Sequence, residues 1–213
     1  MAPSVLNPIR VMKLGGSLLD LPDLAARLED WLTNQPPMLN LCIAGGGEPV
    51  QEIKDRSGSV DSSNSHWESI RLMDRHSLSL SQISRAWSFL DSPDSLSSLP
   101  HSPPATVYFL GIESWLRETM TCLPESWDVT SDSIAVVLAR FFGASELTLL
   151  KSALPPTQTT LTQLMELEFV DRYFKEAITS AVTEQLSNIG RVKFVNLRDE
   201  NYAEHRLSCH SAH

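Results

Sequence analysis

The sequence predicts an α/β fold, a mainly parallel sheet covered by helices, and three observations carry that expectation. Ile9–Leu14 (IRVMKL) and Leu39–Ala44 (LNLCIA) are short apolar runs rich in branched residues, each closed at once by glycines, Gly15-Gly16 and Gly45-Gly46-Gly47. Between them Leu24, Leu28, Trp31 and Leu32 fall at i, i+4, i+7 and i+8, one apolar helical stripe that must stop before Pro36-Pro37. A further run, 146–150, ends in Lys151. Strand, helix, strand alternation needs a crossover, and such crossovers join parallel strands with right-handed connections.

The remaining elements follow in order. A polar helix is expected from about Pro49, and Ile70, Met73 and Leu80 give a helical period over 65–80. Residues 92–104 (SPDSLSSLPHSPP) read as a surface connection, because their Ser/Pro content supports neither helix nor central strand. A strand over 106–110 precedes a short helix over 112–119 that turns Trp115 and Leu116 inward. Residues 134–142 form a strongly apolar helix, closed by Gly143 at a position suited to a left-handed cap. Helices over 161–168 and 170–186 and a last strand over 191–195 complete the chain, and the carboxyl-terminal segment carrying His205, Cys209, His210 and His213 reads as frayed.

With 213 residues, 42% of them hydrophobic, the chain suffices for one domain with a full core, or two lobes sharing a sheet. The net charge of −9, with no long run of Lys or Arg, argues against nucleic acid as a partner. No apolar stretch approaches the roughly 20 residues of a membrane span. The opening MAPSVLNPIRVMKLGG lacks the charged region and long apolar stretch of a signal peptide, so a cytoplasmic location is expected. Cys42, Cys122 and Cys209 are odd in number and widely spaced, which predicts no disulfide framework.

Glycine clusters after strands suggest phosphate sites, yet the two common patterns fail. Val50 stands where a dinucleotide fingerprint needs its last glycine, and no GxxxxGK[ST] occurs. What remains is two glycine turns at the carboxyl ends of parallel strands, the edge where open α/β sheets bind ligands. Glycines there let backbone N–H groups approach phosphate oxygens, and the following helix adds its dipole. Lys13 lies in an apolar strand on the face of Ile9 and Val11. Such a lysine either reaches toward a transferring phosphoryl group, or snorkels or pairs with a carboxylate. Lys151 repeats the arrangement. Thr130-Ser131-Asp132-Ser133 has an ordinary reading as a helix cap and a functional one, in which the hydroxyls bind a substrate phosphate while Asp132 orients the two lysines or helps hold magnesium-nucleotide. The histidines and cysteine near the carboxyl terminus follow no standard metal spacing, and His66 and Trp67 suit capping or packing better than a pocket. No Ser/His/Asp or Cys/His constellation offers a nucleophilic alternative.

Taken together, K-x-G-G-S from Lys13, A-G-G-G-E from Ala44, and W-D-V-T-S-D-S from Trp127 followed by an apolar helix resemble the amino acid kinase superfamily. Within it, the short length, the Ser-His before a helix containing Met73-Asp74, the S-W-x-x-T-S-D-S run from Ser126 and the V-D-x-x-F from Val170 look most like the small aminomethylfuran-phosphate kinases of methanofuran synthesis. The resemblance implies a three-layer αβα sandwich in a single domain over 1–213, with the acceptor held by about 1–125 and ATP by about 126–205. It implies an ATP-dependent kinase acting on a phosphate monoester, with Mg-ATP as co-substrate. Carried over by motif, Lys13 and Asp132 are catalytic; for the family's second lysine, Lys151 and Lys175 are the nearby candidates, neither within the family's motif, and Lys151 is taken with the catalytic set. The phosphate-binding set is Gly15, Gly16, Ser17, Gly45, Gly46, Gly47, Glu48, Thr130, Ser131 and Ser133. A homo-oligomer is expected as well. The chain departs from the pattern where relatives carry D-x-D-G and V-N-G: it has Lys151-Ser-Ala-Leu-Pro-Pro and Val195-Asn-Leu instead. Two alternatives stay open: a carboxylate or amino-acid kinase, and a binding protein on the same fold without turnover.

Overall fold

A computed structural model describes residues 8–57, 62–92, 96, 99, 105–119, 123–179 and 189–207. Strand β1 (Ile9–Leu14) leads through a 3₁₀ turn, Gly16–Leu18, into α1 (Leu24–Thr33), β2 (Leu39–Ala44), α2 (Gly47–Ser57) and α3 (Ser62–Ser81). Strands β3 (Trp87–Leu90) and β4 (Val107–Leu110) precede α4 (Glu113–Thr119) and α5 (Ser131–Phe141). Then come β5 (Glu146–Lys151), α6 (Leu161–Glu166), α7 (Phe174–Thr179), β6 (Arg191–Asn196) and β7 (Glu204–Leu207). The strands form one seven-stranded sheet in the order β3-β4-β2-β1-β5-β6-β7. Every pairing is parallel except β6 with β7.

Alternation along the central strands divides the interior into two layers. Val11, Leu41, Ile43, Leu147 and Leu149 face the layer filled by α5, whose residues Ser131 to Arg140 are all buried. Met12, Leu14, Cys42, Ala44 and Leu150 face the layer under Leu28, Trp31 and Leu32 of α1. The result is the three-layer αβα sandwich. Trp115 and Leu116 point inward, and Gly143 closes α5 at φ 60°.

Several expectations are corrected. The carboxyl-terminal segment is not frayed throughout, because Glu204–Leu207 pairs antiparallel with β6 and sets His205 opposite Phe194. Strand β3 is an additional element, too short at four residues and too mixed in burial to stand out as an apolar run. Helix α2 starts at Gly47, two residues early, and α5 at Ser131, three residues early. Helix α6 ends at Glu166, and α7 begins only at Phe174. Residues 180–186 of the expected 170–186 helix, most of the 92–104 connection, Cys122, Cys209, His210 and His213 lie outside the described residues.

At the amino edge of the sheet three neighbouring strands bury a charge cluster. Arg10 Nε donates to Glu146 Oε1 at 2.6 Å and Arg10 Nη1 to Asn40 Oδ1 at 2.8 Å. Lys193 Nζ lies 3.3 Å from the same Glu146 oxygen and donates to Gln35 Oε1 at 2.8 Å. The Trp31 ring of α1 covers both cations, at 5.5 Å and 4.9 Å. Burial would raise the Glu146 pKa, but Arg10 and then Lys193 outweigh it and hold the carboxyl below its ordinary range. Removing one partner of such a cluster strands the others, so Glu146→Gln should destabilise the chain by about 3 kcal/mol or more. Denaturant unfolding at pH 7 measures it. Because a depressed carboxyl pKa gives stability that acid removes, the deficit should shrink as pH falls through the carboxylate range.

Candidate active site

The chain leaves β1 toward β2 on one side, and after β4 it returns to place β5 on the other side of β1. The carboxyl ends of β1 and β5 therefore border a switch point, the crevice where open α/β sheets take ligands. Gly15 N donates to Leu150 O across it at 2.8 Å, and Ser17 Oγ to Ser152 Oγ at 3.0 Å.

Lys13 sits on the β1 face that meets α5, and Lys151 ends β5. Helix α5 begins beside them because Thr130 is extended, at φ −122° and ψ −170°, and the helix opens at Ser131. Asp132, in that first turn, is 5% exposed and lies between the two lysines. Its Oδ1 stands 3.0 Å from Lys13 Nζ and its Oδ2 accepts from Lys151 Nζ at 2.8 Å. Lys13 and Asp132 thus form a buried ion pair, one ammonium against one carboxylate oxygen. Lys151 Nζ also donates to Phe169 O at 2.9 Å. Burial would raise the Asp132 pKa, but Lys13 and Lys151 outweigh it and hold the carboxyl ionised, below its usual range. For Lys151, burial first and Lys13 second push the pKa down to about 8, against the pull of Asp132. Two ammoniums share one carboxylate in a buried crevice, and the Asp171 carboxylate is the next charge felt by Lys151.

The glycine turns pack directly on one another. A Cβ on Gly16 would land on Gly47 N, and one on Gly45 would meet Gly16 N at 2.7 Å. Gly47 adopts φ 61°. Close backbone packing at Gly16 and Gly45 and the left-handed backbone at Gly47 require glycine there whatever the ligand. Gly15 N and Gly45 N are taken by Leu150 O and Leu14 O, which corrects their expected role as phosphate donors and leaves the amides of Gly16, Gly46 and Gly47 at the edge beside Lys13. Ser17 and Glu48 are exposed at this edge.

The four residues of the capping run separate in role. Thr130 Oγ1 and Thr130 N donate to Asp171 Oδ2 at 2.8 Å and 2.9 Å. Ser133 N donates to the same oxygen at 3.0 Å, and Ser133 Oγ donates to Oδ1. Two of the three hydroxyls are thus occupied by a carboxylate. Ser131 is buried, and its hydroxyl is not among the Asp171 donors. Asp171 itself went unread as a site residue, because a helix capped from 41 residues further along leaves no local pattern. His66 and Trp67 form a packing pair: their rings meet edge-on at 5.5 Å, and the Arg117 guanidinium covers Trp67 at 3.8 Å.

These features define a class: the chain has the amino acid kinase fold. A uridylate kinase from Archaeoglobus fulgidus matches it with TM-score 0.54 at 17% identity, over 87% of this chain and 89% of that one. A UMP kinase from Ureaplasma parvum gives TM-score 0.54 at 13% identity over 92% of both chains. An aspartate kinase from Synechocystis gives 0.50 at 13% identity over 94% of this chain and 40% of that one. No protein-family model matches the sequence, and no curated protein matches it.

Proposed function

We propose that this chain is an ATP-dependent small-molecule kinase that transfers the γ-phosphoryl group to a phosphate monoester. The observation that carries the reading is the single buried carboxylate, Asp132, shared by Lys13 and Lys151 at the switch point of the sheet. Phosphoryl transfer needs positioning and charge stabilisation of three equatorial oxygens, with little covalent chemistry from the protein. Lys13 serves the transferring group, Lys151 the β- or γ-phosphate, and Asp132 holds both ammoniums until phosphate oxygens take over part of its role. The nucleotide brings its own magnesium. Residues of about 1–125 take the acceptor and those of about 126–205 the nucleotide. The amides of Gly16, Gly46 and Gly47 are the donors for the acceptor phosphate, met at the sheet edge by Ser131 reaching in from the other half, and an aminomethylfuran methyl phosphate is the first candidate. No helix among the described residues is long and apolar enough to cross a membrane.

The test is ADP release with magnesium-ATP and a panel of a furan methyl phosphate, UMP, aspartate and carbamate. Turnover confined to the phosphate esters supports the proposal. Turnover with aspartate or carbamate instead makes it a carboxylate or carbamate kinase, and nucleotide binding without turnover leaves a binding protein. The last outcome has one observation in its favour, the Ser-Ala-Leu-Pro-Pro that follows Lys151.

The division into halves gives its own expected result. Lys151→Met should weaken ATP and ADP binding by about tenfold or more and leave acceptor binding within about twofold, measured by calorimetric titration of each ligand. In the wild type, nucleotide affinity should fall as pH rises through about 8, where the Lys151 ammonium loses its proton. That pH dependence should be absent from the Met variant.

A further inference from the structure

We propose that Asp171 is a positioning residue for the phosphoryl-transfer centre: with the carbonyl of Phe169 it forms a clamp that sets Asp132 and Lys151 against each other. The inference rests on the kinase reading above and deepens it.

The clamp is visible as two sets of contacts from one short segment. Asp171 receives four hydrogen bonds, from the backbone and hydroxyl of both Thr130 and Ser133, so it caps α5 from outside the helix. Thr130, at the cap position itself, makes no side-chain cap bond. Two residues earlier, Phe169 O accepts from Lys151 Nζ at 2.9 Å, and the Phe169 ring lies 5.4 Å from that ammonium. A backbone tie adds to this, Tyr173 N donating to Asp128 O at 3.0 Å. A helix whose first turn is held at residues 130 and 133 has its rotation fixed, and Asp132 between them is then aimed at β1 and β5. Capping alone needs one accepted N–H, and a serine or threonine in place would serve. Four donors converging on one carboxylate fix orientation as well as satisfy the helix end.

The experiment compares Asp171→Asn with wild type below both melting temperatures. Asn keeps the size but turns an acceptor into a donor facing donors. Turnover should fall by about tenfold or more with KM for both substrates within about threefold, the pattern of a lost transition-state geometry. Asp132→Asn with Asp171→Asn together should lose no more turnover than Asp132→Asn alone, since one residue acts through the other. A second readout needs no turnover: the titration of Lys151, followed by NMR of isotope-labelled lysine ε-carbons. The groups facing Lys151 are Asp132 from α5, Lys13 from β1, and Asp171 and Phe169 from the segment after α6. Removing the Asp171 charge and loosening Asp132 both lower the midpoint, by about half a pH unit or more. Should Asp171→Asn fail to fold, Ser133→Ala approaches the clamp from the other side, and its turnover should fall with KM kept. An unmoved Lys151 midpoint, additive losses in the double variant, or a lowered melting temperature at wild-type turnover would each overturn the clamp. Absence of transfer by the wild type overturns the kinase reading instead, and the lysine titration still decides the clamp.

Discussion

Lys13→Ala should lower turnover by about 100-fold or more and leave the chain folded. The fold survives because Asp132 keeps its 2.8 Å bond to Lys151, so the substitution strands no buried charge. Chemistry does not survive, because the ammonium lost is the one whose charged partner, among the described residues, is a single carboxylate oxygen at 3.0 Å. The protons not turned to that oxygen are left for an anion that arrives beside them. A contact strengthened as charge moves onto the transferring oxygens appears in kcat more than in KM. Lys13→Arg is the informative companion, since the planar guanidinium does not fit a slot where Lys13 is 6% exposed. It should retain charge and lose most turnover. Steady-state kinetics beside circular dichroism checks both, and an Ala variant retaining more than about a tenth of wild-type turnover would remove Lys13 from the centre.

What the sequence discloses follows from how local each signal is. β1, β2 and β5 are legible because central parallel strands are buried on both faces and read as continuous apolar runs, and two of them end in glycines. β3 and β7 are edge strands in which polar and apolar residues mix, W-S-F-L and E-H-R-L, and nothing local separates them from loop. Lys13 stood out because a lysine in an apolar strand is anomalous. The Arg10, Glu146 and Lys193 cluster did not, since each looks like an ordinary charge at a strand start, and only the register of β1, β5 and β6 brings them together. Thr130 and Ser133 were legible as hydroxyls at a helix start, but their partner could not be read, because Asp171 reaches them through the packing of a later segment. Local chemistry is written in the sequence; the pairing of distant side chains is written in the fold.

That distinction changes what Asp132→Asn should do. Read as a capping residue, Asp132 is replaceable by Asn with no loss, since the two cap equally well. The structure removes that reading: Thr130 holds the cap position, Asp171 performs the capping, and Asp132 is committed to two lysines. Asn is the same size but removes the counter-charge the two buried ammoniums share, leaving only the more distant Asp171 for Lys151, and points an N–H donor at one of them. Stability should therefore fall by about 3 kcal/mol near pH 6. The deficit should ease as pH rises, because Lys151, already lowered to about 8, falls further without Asp132 and folds as the neutral amine. The sign follows from linkage: between its lowered folded pKa and its ordinary unfolded one the unfolded chain binds the extra proton, so raising the pH favours the folded state. Turnover should drop by about two orders of magnitude. A bound phosphate supplies the missing anion, so magnesium-ADP at saturating concentration should raise the melting temperature of the variant more than that of the wild type, where Asp132 already neutralises the pair. Thermal unfolding with and without nucleotide at pH 6 and pH 9, beside turnover, separates the possibilities. Normal turnover with a lowered melting temperature would make Asp132 a structural counter-ion alone; loss of turnover with nucleotide rescue of stability ties the carboxylate to the place where phosphate binds.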